Sequence, residues 1–102
     1  YVFTSGQLPI DPNSGQVSES TIEGQTRQVI MNIKAILEQA GGGLESAVKV
    51  TVYMKDLNDF KAMDKVYGEH FGSGSTARML FEAARLPRDV KVIMDAVAYI
   101  MQ

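Results

Sequence analysis

ARMLFEAARLPRDVKVIMDAVA, residues 77–98, decides how the rest of this chain is read. Two apolar runs, Met79-Leu80-Phe81 and Val92-Ile93-Met94, flank Leu86-Pro87-Arg88-Asp89, where proline and polar residues punctuate a turn. The pattern predicts a β-hairpin whose strands each carry one charge where charge is costly, Arg78 on the first and Asp95 on the second. Antiparallel pairing about that turn would bring Asp95 within one or two pair positions of Arg78. On this reading guanidinium and carboxylate share one site. A carboxylate-bearing ligand could displace Asp95 there, because arginine offers carboxylates a planar fork of donors. The alternative for Arg78 is a solvated charge at a strand edge.

Upstream, Ala47 to Met54 alternates, with Val48, Val50, Val52 and Met54 on one face and Lys49, Thr51 and Tyr53 on the other, as a half-buried strand does. Ile22, Thr26, Val29, Ile30, Ile33, Ile36, Leu37 and Ala40 recur at helical spacing and predict one amphipathic helix over 21–40, opened by a Ser20/Glu23 capping box. Gly41-Gly42-Gly43 follows that helix rather than preceding one, and no Lys-Ser or Lys-Thr comes after it. It reads as a C-cap and not as a phosphate cradle. A second helix, capped by Asn58, buries Phe60, Met63, Tyr67 and Phe71 and stops at Gly72. Gly72-Ser73-Gly74-Ser75 is a flexible connection, too short for a domain linker. Tyr1 to Thr4 reads as a strand, Ile10 to Gly15 as a tight turn, and Gln16-Val17 as a short further strand.

Two helices among several strands give an α+β domain, a mixed sheet covered on one face only. Both parities of the segment after Lys91 are apolar, so the second face would leave an exposed apolar surface on a single copy, which marks an association interface.

The chain has 102 residues, 45% of them hydrophobic and 22% charged, enough for one small domain with a single core. A net charge of −2 argues against a basic nucleic-acid-binding surface. Without cysteine there is no disulfide, thiolate nucleophile or cysteine-bound metal. The single histidine, His70, falls late in the second helix, a position that suits a surface residue better than a ligand or base. No apolar run approaches membrane-spanning length.

Thr4-Ser5-Gly6-Gln7-Leu8-Pro9, Val48 to Tyr53, Lys55 to Phe60, Ala77-Arg78, Ala84 to Val92 and Asp95 to Ala98 together resemble, in order and over the whole chain, the YjgF/Rid family of reactive-intermediate deaminases. The resemblance implies a chorismate-mutase-like fold, a homotrimer with ligand sites in clefts between subunits, and an N-terminal family strand expected upstream of Tyr1, with 1–102 as a single domain. It implies a cytoplasmic protein, with a mitochondrial location left open, that needs no metal or organic cofactor. It further implies hydrolysis of 2-aminoacrylate-type enamines and 2-iminobutanoate-type imines to 2-oxo acids and ammonia, linked to pyridoxal-phosphate-dependent dehydratases that release them.

By the same resemblance Arg78 binds the substrate carboxylate, Gly6 and Tyr67 line the cleft with Leu80, and Asp95 stands where deaminating members carry a glutamate that positions water. Asp95 has one methylene less reach. Met79 and Leu80 replace small polar residues, and Asp64 replaces an asparagine, introducing a carboxylate near the site. Two other functions stay open: a non-catalytic module for 2-oxo and related carboxylic acids, and an endoribonuclease or translation inhibitor, for which one poorly placed histidine offers little chemistry.

Overall fold

The computed structural model describes residues 1–72 and 74–101, so the predicted Gly72–Ser75 connection includes one residue, Ser73, outside the described set. In chain order the elements are β1 (Val2–Phe3), α1 (Ile22–Gln39), β2 (Ala47–Met54), α2 (Phe60–Phe71), β3 (Ala77–Glu82) and β4 (Val92–Ala98), with short 3₁₀ turns at Leu44–Ser46, Leu57–Asp59 and Pro87–Asp89. The strands form one mixed sheet in the order β1-β4-β2-β3. Gln16-Val17 contributes only an isolated bridge, Ile10 to Val17.

α1 forms where the 3.6-residue apolar period predicts it. Ile22, Val29, Ile30, Ile33 and Leu37 are all buried on its sheet-facing stripe. Its N-cap is Thr21, whose hydroxyl accepts from the Gly24 amide at 3.0 Å, and not the expected Ser20/Glu23 box. One residue of register separates the two, and with Thr21 at the cap the third helical position is Gly24, which has no side chain to return the bond. The end is a Schellman motif: the Gly41 amide donates to Glu38 O, the Gly42 amide to Leu37 O, and Gly41 sits at φ +97°. The predicted glycine C-cap is thus present.

α2 likewise ends at Gly72, with φ +71°. Its approach is capped by Asp56, whose carboxylate accepts from the Asn58 amide at 2.8 Å, rather than by Asn58. A turn of 3₁₀ helix intervenes between that cap and Phe60.

Val50, Val52 and Met54 of β2 meet Val92, Met94, Ala96 and Ala98 of β4 beneath the helices. Val48 departs from the predicted alternation and is exposed. Ala47 pairs with Ala98 and Lys49 with Val97, so Val48 is the extra residue of a β-bulge and turns out of the ladder.

The 77–98 hairpin does not form. β3 pairs parallel with β2, Val50 opposite Arg78 and Val52 opposite Leu80, while β4 pairs antiparallel with the other side of β2, Thr51 opposite Asp95. The reason lies upstream: β2, α2 and β3 make a strand-helix-strand crossover, which delivers β3 parallel to β2 and places β2, not β4, beside it. The predicted turn exists at Pro87–Asp89, with Arg88 and Asp89 at φ +56° and +54°, but it carries the chain past the end of β2.

Candidate functional site

The register separates the two charges that the hairpin reading joined. Arg78 shares a row with Val50 and therefore faces the helices, whereas Asp95 shares a row with Thr51 and faces away from them. Within one chain they lie on opposite faces with β2 between their strands.

Arg78 is instead built into α2. Its Nη1 donates to Asp64 Oδ1 at 2.6 Å, and its Cζ lies 4.7 Å from the centre of the Tyr67 ring and 5.6 Å from that of Phe60. Phe60, Asp64 and Tyr67 stand at i, i+4 and i+7, so one helical stripe provides both aromatic faces and the carboxylate. The Arg78 side chain is 26% exposed and that of Asp64 43%. Tyr67 is buried, its ring stacked on Phe71 at 4.6 Å, and its hydroxyl has no hydrogen-bond partner among the described residues. Burial raises the Tyr67 ionisation, the nearby Arg78 charge opposes the rise, and Asp64 adds to it. The sequence marks Asp64 as a departure near the site but not its bond to Arg78, since the 60/64/67 spacing places it on one stripe with Phe60 and Tyr67 without saying which strand packs there. Leu80 lies on the same face as Arg78 and packs against the core.

Asp95 is half-buried on the open face, where its Oδ2 accepts from Tyr53 Oη at 2.8 Å. That bond, then desolvation and the carboxylate's charge, raises the Tyr53 ionisation. Tyr53 also meets Phe81 edge to face at 5.2 Å. Gly6 belongs to the segment that continues β1 along the outer side of β4, where Gln7 bridges Met94. A Cβ at Gly6 would come within 3.3 Å of Ile93 Cγ2, a tight contact that Ile93 would have to yield to by a few tenths of an ångström. With strands about 4.8 Å apart, the Gly6 segment and β3 lie roughly 14 Å apart across the sheet. A three- or four-carbon acid cannot touch both in one chain. Of the residues named from the sequence, the structure therefore brings Tyr67 to Arg78 and leaves Gly6 and Asp95 elsewhere.

A cavity of about 400 Å³ opens between the 6–12 segment and α1, lined by Gly6, Leu8, Ile10, Pro12, Asn32 and Ala35. Asn32, one of the lining residues, donates to Leu8 O and Ile10 O at 3.1 and 2.9 Å. His70 engages Val66 O through Nδ1 at 3.0 Å, and no group of three or more His, Asp or Glu side chains gathers as a metal site among the described residues. No helix among them is long and apolar enough to cross a membrane.

The family model described as Endoribonuclease L-PSP matches residues 1–100. A RutC family protein of Pyrococcus abyssi is 54% identical over 99 residues, covering 97% of this chain and 78% of that protein. A Salmonella typhimurium protein named 2-iminobutanoate/2-iminopropanoate deaminase is 45% identical over 100 residues, covering 95% and 77%. Among solved structures, E. coli TdcF with bound serine superposes with a TM-score of 0.89 at 37% identity, over 97% of this chain and 80% of that one. With the mixed sheet and its two helices in the same arrangement, the chain belongs to the Endoribonuclease L-PSP family, the YjgF/RutC/Rid proteins.

Proposed function

We propose that this chain hydrolyses small 2-imino acids and their enamine tautomers to 2-oxo acids and ammonia, at a site shared between two copies of a homotrimer. The observation that carries the proposal is Arg78, presented at the β3 edge on an aromatic and carboxylate platform, in a chain with relatives named for this reaction. Arg78 binds the ligand carboxylate through its fork of donors. Water adds to the imine carbon, and Asp95 guides it by accepting its proton and returning it to the nitrogen, which also takes the hydroxyl proton before it leaves. The carbinolamine then expels ammonia as the carbonyl forms.

Because Arg78 faces the helices from the edge strand β3, whereas Asp95 faces the other way from the inner strand β4 and Gly6 packs on the far side of β4, one copy would supply Arg78, Tyr67 and Leu80 while a neighbour supplies Gly6 and Asp95. The exposed Met79, Phe81 and Phe3 make the open face suitable for burial against other copies. Dehydratases that release such imines are the implied functional partners.

The second reading is a binding module for 2-oxo and related carboxylic acids. It is favoured by two observations: the carboxylate of Asp95 is already engaged by Tyr53, and the residue packed beside Gly6 is the apolar Ile93. The family's endoribonuclease name draws little support from an acidic chain whose one histidine bonds its own helix.

The deciding assay is ammonia release from freshly generated 2-aminoacrylate, with Arg78→Ala as control. Release well above the buffer rate that disappears in the variant supports the deaminase. A folded wild type that binds pyruvate yet leaves the buffer rate unchanged identifies the binding module.

A further inference from the structure

Asp64 lies 2.6 Å from the guanidinium proposed to bind the ligand. The pair carries no net charge, so Arg78 is not a bare cation awaiting an anion. A 2-oxo acid with net charge −1 gains attraction from Arg78 but meets repulsion from Asp64 one contact away. A ligand that adds a cationic nitrogen to its carboxylate avoids that repulsion. Its carboxylate can take Arg78 while its nitrogen faces Asp64, whose Oδ2 makes no hydrogen bond among the described residues. Tyr67 and Phe60 fix the guanidinium plane, so the ligand cannot evade Asp64 by drawing Arg78 elsewhere without losing both ring contacts.

We propose that Asp64 determines specificity: it makes the Arg78 site select zwitterions, namely α-amino acids and protonated 2-imino acids, over 2-oxo acids. The inference rests on the reading of Arg78 as the carboxylate site. Its consequence for the proposed reaction is directional. The iminium form of the substrate is retained, whereas the 2-oxo acid left after ammonia departs carries the disfavoured charge and leaves readily.

L-alanine and pyruvate share a carbon skeleton and differ in the cationic nitrogen, so calorimetric titration of both at low salt isolates the effect. The wild type should bind alanine more tightly than pyruvate. In Asp64→Asn, a near-isosteric change at a part-exposed position, pyruvate should gain roughly threefold and alanine lose roughly threefold, shifting their ratio about tenfold, with a smaller shift in high salt. If Arg78→Ala abolishes binding of both ligands but Asp64→Asn leaves their ratio unchanged, the selectivity claim is wrong and the Arg78 site stands. If Arg78→Ala binds both like the wild type, or the folded wild type binds neither, the site itself is misplaced and the selectivity claim falls with it.

Discussion

Tyr53 Oη donates to Asp95 Oδ2 at 2.8 Å across the β2–β4 pair, on the sheet face away from both helices. Asp95 stands directly opposite Thr51, so its bond to Tyr53 is the diagonal contact of an antiparallel pair. The bond ties the proposed water-guiding acid to a phenol whose proton it holds in place.

Tyr53 should therefore ionise above the ordinary tyrosine range. Its folded-state value exceeds its unfolded one, so its contribution to stability is complete below the ordinary range and is lost as pH rises through the elevated value. Tyr53 and Tyr67 should both ionise late, and ultraviolet titration of wild type, Tyr53→Phe and Asp95→Asn should assign to Tyr53 the one that responds to both substitutions. In Asp95→Asn that ionisation should move down, because the anion is gone although an amide oxygen can still accept. An unmoved titration would mean that the bond is absent in solution.

Asp95 should limit turnover rather than binding. In steady-state kinetics Asp95→Glu, which adds reach, should raise kcat with little change in KM, and Asp95→Asn should lower kcat because an amide cannot take a proton from water. Equal turnover in wild type and Asp95→Asn, with both folded, would remove Asp95 from the chemistry. Tyr53→Phe frees the carboxylate and should raise kcat if the phenol restrains it.

Arg78→Lys should keep the charge but lose the fork and the planar stacking on Tyr67. The expected loss of affinity for carboxylate ligands is about 1.5 to 3 kcal/mol for Arg78→Ala, roughly ten- to a hundredfold, and smaller for Arg78→Lys. Calorimetry on the two variants orders them, and an Arg78→Lys variant that binds like the wild type would show that the fork contributes nothing.

Light scattering at micromolar concentration should show a trimer. Phe81→Lys, which puts a charge on the open face beside Tyr53, should shift it towards smaller species while leaving the helix-side core untouched. A wild type that stays monomeric would exclude any site shared between copies.

Gly41→Ala should cost about 1 to 2 kcal/mol, since its φ of +97° disfavours a side chain. The thermal midpoint should fall accordingly. Ile33→Ala, which empties a fully buried position, should cost more, about 2 to 5 kcal/mol.

Both helices, β2 and the class of the fold were legible because each is set by a local period: Val29, Ile30, Ile33 and Leu37 for α1, and Val50, Val52 and Met54 for β2. The partner of β3 was not, because a strand's own pattern says which face is buried and nothing about which strand lies beside it. The order of β2, α2 and β3 held that information, and short-range turn chemistry at Pro87 outweighed it. Arg78 was recognisable as an apolar-strand arginine, but its actual counter-charge, Asp64, becomes visible only once α2 is laid against β3. Val48 failed for the opposite reason: a single-residue bulge breaks strict alternation at a point no local signal marks.

β3 has a further consequence. Among the described residues of one chain its outer edge has no strand beside it, and it presents a six-residue ladder, Ala77–Glu82, with the exposed side chains of Met79 and Phe81 on it. Such an edge accepts a strand from any other chain, native or not. Arg78 and Glu82 are the charges within that strand that oppose such addition, and Arg78 is already bound to Asp64. A copy released by dilution or mutation would therefore be prone to edge-to-edge aggregation.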